Sequence, residues 1–205
     1  LPDFFPTTLF SDLALPEAHV STPPQSPGST ERDLYPMALG QLLREYAPGR
    51  VSRRFAIENP EHRHWIQVPL DDRDAIIDLD AILPVFGLEA PCVIELEGEA
   101  TEMAVVRPEQ VLVDLPPDTV KDSSNAVMTW RSQFLETGRG LPIRVPGEDP
   151  IGRLISEARF FLHAQNAHVD VRRAAINSDA TITLSDGSED RVRARFALGG
   201  QPVAL

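Results

Sequence analysis

Alternation of apolar and polar positions dominates the second half of the chain. Val93–Glu97, Ala104–Val106 and Val111–Leu115 each alternate, with Pro108 read as a connection between them. Ala126–Thr137 predicts a long strand, Gly138 and Gly140 a turn, and Leu141–Val145 a further strand. Ile151–Ala164 fits a helix or the start of a strand, and His168–Ala175 alternates again. The clearest signal is Ala180–Leu184 and Arg191–Leu198, two alternating runs joined by a turn containing Asp186-Gly187.

The first half follows other periods. Met37, Ala38, Leu42 and Tyr46 share one helical face, Pro36 suits a first turn, and Ala47-Pro48-Gly49 ends the pattern, so a helix is predicted over 36–46. Val51–Ile57 and His64–Val68 predict short strands. Apolar positions at 75, 76, 79, 82 and 83 predict a short acidic helix among the aspartates of 71–80. Ahead of these, six prolines in residues 1–30 argue against any long helix or central strand, so 1–30 is expected to be an irregular Pro-rich arm, with Ser21–Thr30 an exposed loop. The expected fold class is α+β: a mainly antiparallel β-sheet or partly open barrel, with one clear helix and one or two short ones. The expected organisation is the arm 1–30, a segment 31–90 of helix, short strands and acidic helix, and a β-rich module 91–205, with a boundary near Pro84–Pro91.

Composition then narrows the function. Of 205 residues, 19 are basic and 31 acidic, giving a formal net charge of -12. That excludes a broad nucleic-acid-coating surface but leaves room for a local basic patch. Cys92 is the one cysteine, which rules out an internal disulfide and a four-cysteine zinc site within these residues. No run of 18 apolar residues occurs, so no membrane helix is predicted and a cytoplasmic location is expected. A first residue of Leu1 rather than Met reads as a piece of a longer chain or a processed product.

Candidate chemistry is sparse. The sequence has no Gly-x-Ser-x-Gly elbow, phosphate-binding loop or dinucleotide fingerprint. Cys92 reads as a buried small hydrophobe, and His62-x-His64 lacks the third ligand a metal needs. Neither a catalytic set nor a resident metal or cofactor is expected. Basic clusters are the remaining candidates for nucleic-acid contact. They are Arg50, Arg53 and Arg54 after the helix stop, and Arg191, Arg193 and Arg195 on one face of the last long strand. Guanidinium groups match phosphate bidentately, and pairing with Asp186, Glu189 or Asp190 across the hairpin is the competing use.

Two passages carry a resemblance. The run from Tyr35 to Gly49, above all Leu43-Arg-Glu-Tyr-Ala-Pro-Gly49, resembles a motif that follows the motor core in large bacterial superfamily 2 DEAD/DEAH-type helicases. The run from Ala194 to Leu205 is similar to the stretch leading into the C-terminal domain of unknown function in those proteins, which include helicases of phage-defence islands such as the DISARM system. The resemblance implies a non-catalytic accessory module of an ATP-dependent DNA translocase. The parent chain would bind ATP and Mg; the ATPase residues would lie upstream and a cysteine zinc cluster downstream. Neighbouring helicase domains, DNA and a defence-system protein are the implied partners, with no membrane. A stand-alone acidic β-rich protein-interaction domain is the alternative.

Overall fold

The computed structural model of the chain describes residues 16–26, 28–57, 59–70, 72–96, 99–137, 140–144, 155, 157–160 and 168–205. The fold is α+β and rich in strand, built on a mixed, mostly antiparallel sheet that does not close into a barrel. Two compact units divide it: Leu1–Arg131 with Ala174–Leu205, and Ser132–Arg173. No helix is long and apolar enough to cross a membrane.

The strands in chain order are β1 (Glu17–Thr22), β2 (Asp33–Ala38), β3 (Asp74–Asp78), β4 (Val85–Leu96), β5 (Glu99–Leu112), β6 (Asn125–Thr137), β7 (Leu141–Ile143), β8 (Ala158–Phe160), β9 (His168–Thr183), β10 (Glu189–Leu198) and β11 (Gln201–Ala204). Helices α1 (Leu39–Glu45) and α2 (Leu79–Ile82) are short. The main sheet runs β2-β1-β5-β11-β10-β9-β6, with β3 paired to β10 and β4 to β5. In the second unit, β7 and β8 form an antiparallel ribbon with Leu141 opposite Phe160.

Several elements differ from the sequence expectation. Residues 17–22, expected within an irregular arm, form β1, which pairs antiparallel with β2 and parallel with β5. Pro16 and Pro23 flank this strand rather than interrupt it, so no ladder bond is lost. Ser21, Thr22 and Gln25 are buried, so the loop expected over Ser21–Thr30 is exposed only beyond them. Residues 1–15 lie outside the described residues. Pro36 does not open the helix. It lies in edge strand β2 opposite His19, a place where a missing N–H is tolerated. The helix begins at Leu39, whose N–H donates to the Pro16 carbonyl. The runs 51–57 and 64–68 are held by isolated bridges, Ser52 to His64 and Trp65 to Asp114, instead of regular strands. The acidic stretch forms β3, with Ala75 and Ile77 buried and Asp74, Ile76 and Asp78 exposed; only one helical turn, capped by Asp78, follows. Asp is a weak helix former, and parallel pairing with β10 decides the matter. The chain does not part at 84–91, because β4 runs through it, and Pro108 lies within β5 opposite Phe86 at a register shift. His168–Ala175 and Ala180–Thr183 lie in one strand, β9, and Leu184 makes an isolated bridge to Val120. Much of Ile151–Ala164 lies outside the described residues.

Packing explains why α1 sits where it does. Leu42, Leu43, Tyr46 and Ala47 are buried in the main core. Phe55 stacks on Tyr35 at 4.5 Å between ring centroids and on Tyr46 at 6.2 Å. The Gln25 amide donates to the Tyr35 hydroxyl and the Phe55 carbonyl, which ties the stack to the turn after β1. The chain then turns at Pro48-Gly49 directly against β9: Ser178 Oγ donates to the Pro48 carbonyl at 2.9 Å. Gly49 has φ of 93°, and a Cβ there would stand 2.5 Å from the Ala180 Cβ.

His64 is the largest polar cost in this core. Its side chain is fully buried and neither ring nitrogen has a hydrogen-bond partner. Burial, with the adjacent His62 and Arg32, lowers its pKa to about 4.

Two predictions follow from this packing. Gly49→Ala combines a left-handed backbone with a clash against β9. It is expected to cost at least about 2 kcal/mol, or a melting-temperature loss of ~4–8 °C. Gly187→Ala, also at positive φ but with open space around it, should cost about 1 kcal/mol. Thermal unfolding of the two variants in parallel checks this, and equal losses would show that the close approach contributes nothing. For His64, the unfolded chain takes up a proton near pH 6.5 and the folded chain only near pH 4. Stability is therefore complete above pH 6.5 and falls as the pH drops from 6.5 to 4, by a total of about 3 kcal/mol. His64→Phe should flatten that part of a denaturant-midpoint profile, and an unflattened profile would assign the acid sensitivity elsewhere.

Candidate anion-binding groove

β10 alternates as its sequence requires: Val192, Ala194 and Phe196 are buried, while Arg191, Arg193 and Arg195 are exposed on the opposite face. The neighbours set the chemistry of that face. Arg193 stands opposite Asp179 and Arg195 opposite Asn177 on β9, and on the other edge Arg193 faces Asp74 and Arg195 faces Ile76 on β3.

Asp179 is the hub of this face. Its Oδ1 accepts from Arg193 Nε at 2.7 Å, and its Oδ2 accepts from Thr129 Oγ1 at 3.0 Å and Asn177 Nδ2 at 2.9 Å. Three strands, β6, β9 and β10, thus converge on one carboxylate. Partial burial pushes its pKa up, but the bonds from Arg193, Thr129 and Asn177 and the Arg193 charge outweigh that and hold it below the usual carboxylate value. Asp179 therefore stays ionised at neutral pH and neutralises Arg193.

Beside this hub the sheet opens into a groove of about 540 Å³. Arg131 from β6 and Arg195 from β10 line it together with Asn177 and Asp179. Met103, Ile176 and Pro202 supply apolar lining. Among the described residues, Arg131 and Arg195 have no ion-pair partner, so two guanidinium groups are open to an anion in one concavity. Its size lies within the range of roughly 300–1,000 Å³ usual for ligand sites.

The arginines expected from sequence divide accordingly. Arg195 and Arg193 both line the groove, Arg193 held by Asp179, and Arg191 lies further along the same face. Arg50, Arg53 and Arg54 do not reach it. Arg50 pairs with Glu45 at 3.6 Å. Arg53 pairs with Asp122 at 2.7 Å and donates to the Pro60 carbonyl. Arg54 lies 5.9 Å from the Phe55 ring centroid. The Asp186, Glu189 or Asp190 partners weighed for the arginine row are not the ones used; Asp186 instead accepts from Ser188. Arg131, Asn177, Asp179 and Thr129 were not anticipated as site residues. Counting back from the Asp186-Gly187 turn would have paired Arg193 with Asp179, but no local signal brings β6 beside β9.

The other candidates stay apart from the groove. Cys92 is buried in a small apolar cluster with Ile94, Met103, Ala174 and Ala204. His62 and His64 meet edge to face at 6.2 Å. Among the described residues no group of three or more His, Cys, Asp or Glu side chains is placed to hold a metal ion.

The hub makes its own prediction. Asp179→Asn removes the charge but keeps the shape and the acceptor toward Thr129. It should cost about 1 kcal/mol at pH 7 and nothing once the pH has fallen through the native Asp179 pKa, where the wild-type carboxyl is protonated too. Urea unfolding at both pH values checks this, and a pH-independent cost would remove the charge from the explanation. No protein-family model matches the chain, and comparison with curated proteins and with solved structures gives no match.

Proposed function

We propose that the chain is a non-catalytic accessory module of an ATP-dependent DNA helicase or translocase of the phage-defence type, and that the exposed face of β10 contacts the DNA backbone. The observation that carries the DNA contact is that Arg131 and Arg195 line one groove and, among the described residues, neither has an ion-pair partner. Phosphate oxygens suit such a pair, because each guanidinium offers a planar fork of donors. The helicase context rests on the resemblance of Tyr35–Gly49 and Ala194–Leu205. In that context ATP and Mg belong to the parent chain, bracing of the motor is the module's mechanical role, and the location is cytoplasmic.

A second reading has its own support. In the β7–β8 ribbon, Leu141, Ile143 and Phe160 are each about half exposed, an apolar surface suited to a protein partner. A net charge of -12 also restricts phosphate contact to the groove.

Titration of fluorescent DNA with the full chain over a range of salt separates the two. Arg131→Gln with Arg195→Gln should weaken binding at least about tenfold and lower the salt slope by about 1.5. Arg50→Gln with Arg53→Gln should leave both nearly unchanged. An unchanged slope in the Arg131/Arg195 double variant would refute the phosphate contact and favour the protein-docking reading.

A further inference from the structure

The groove holds more than arginines, and its other groups restrict what an anionic ligand must carry. Asn177 stands directly across from Arg195 on the neighbouring strand and is 8% exposed. Its amide has one possible orientation. Nδ2 donates to Asp179 Oδ2 at 2.9 Å and to Thr129 Oγ1 at 3.2 Å. Reversing the amide would set its carbonyl oxygen against the Asp179 carboxylate, two acceptors face to face. Oδ1 is therefore the free end, with no partner among the described residues, on a residue that lines the groove. Beside it the Asp179 carboxylate is another acceptor. The groove thus presents cationic forks at Arg131 and Arg195, acceptors between them, and an apolar floor from Met103 and Ile176. Ile76, next to Arg195 on β3, adds an apolar side chain that is 68% exposed.

A bare phosphate would satisfy the arginines and leave the floor and the Asn177 oxygen unused. Duplex DNA offers no free base face to such a concavity, because its bases are stacked and paired. A ligand that fills all three elements combines an anion, a flat apolar body and an N–H donor on one edge. We propose that the groove seats one unstacked nucleotide whose base bears an exocyclic amine: adenine, cytosine or guanine. Its phosphate lies on Arg131 and Arg195, its base lies against Met103 and Ile176, and its amine donates to Asn177 Oδ1. This inference rests on the phosphate contact proposed above and adds base and strand selection to it. Adenine N6, cytosine N4 and guanine N2 are amine donors that such an oxygen can accept from, whereas thymine offers only its N3–H, flanked by two carbonyl oxygens that would face the Asn177 and Asp179 acceptors.

The test is equilibrium binding of the full chain to fluorescent oligo-dA, oligo-dC and oligo-dT single strands and to a mixed-sequence duplex, at fixed low salt. The amine-bearing single strands should bind about three- to tenfold tighter than oligo-dT and tighter than the duplex. Asn177→Leu should abolish the preference for amine-bearing strands while leaving the salt slope intact. Because Asn177 is buried, a second probe uses the unaltered protein: an oligo-dA strand whose exocyclic amines are dimethylated should bind no better than oligo-dT. Equal affinity for all strands and the duplex, with a normal salt slope, would overturn the nucleotide seat and leave the phosphate contact standing. Absence of binding to every strand at low salt would overturn both.

Discussion

The close approach of the Pro48-Gly49 turn to β9 fixes both the inside and the outside of the main unit. On the inner side, Ser178 bonds the Pro48 carbonyl and Ala180 leaves room only for a glycine. A strand alternates with period two, so anchoring 178 and 180 inward commits 177 and 179 outward. Asn177 and Asp179 are those residues, and they organise the groove. A slip of one residue in β9 would bury the carboxylate and expose the alanine. The contact that closes the core therefore also sets the register of the site.

The electrostatics of the outer face follow from neighbours more than from counts. Arg191, Arg193 and Arg195 make a row in sequence, yet Asp179 cancels the middle member at 2.7 Å. Exposed pairs of this kind add at most about 1 kcal/mol to stability. Their larger effect is on the local field, because a carboxylate between two open guanidinium groups limits the positive potential to the groove. With a chain of net charge -12, long-range attraction of a polyanion is weak, and any anion must be held at short range by shape and hydrogen bonds. A concave site with fixed acceptors is consistent with that regime; a flat basic surface is not.

The sequence exposed what depended on local period and hid what depended on distant pairing. The β9–β10 hairpin was legible because two alternating runs flank Asp186-Gly187, and the exposed arginine face of β10 was legible for the same reason. β3 was misread as a helix because Ala75, Ile77 and Leu79 alternate for too few residues to outweigh the apolar spacing around them, and only parallel pairing with β10 settles the conformation. Pro36 was misread because proline serves equally at a helix start and on an edge strand, and what decides is that β2 has a partner on one side only. Arg131 was passed over because its relevance requires β6 beside β9, about fifty residues apart, and no turn signal carries that distance.

Of the two runs that carry the resemblance, Tyr35–Gly49 supplies none of the groove lining, and Ala194–Leu205 supplies much of its apolar part with Arg195. Within Tyr35–Gly49, Tyr35 and Tyr46 stack with Phe55, Leu42 and Leu43 enter the core, and Pro48-Gly49 dock on β9. Each of these roles is packing. Within Ala194–Leu205, Ala194 and Phe196 are core, Gly199 donates its N–H to Asp80, and Leu205 exchanges backbone bonds with Ala175. Arg195, Phe196, Ala197, Gly200, Pro202 and Val203 belong to both the second run and the groove, and Arg195 is the charged one among them. Both runs could stay unchanged while Arg131, Asn177 or Asp179 is altered, and with them whatever the groove holds. The polar chemistry of the groove thus comes from Arg131, Asn177 and Asp179, outside both runs, together with Arg195.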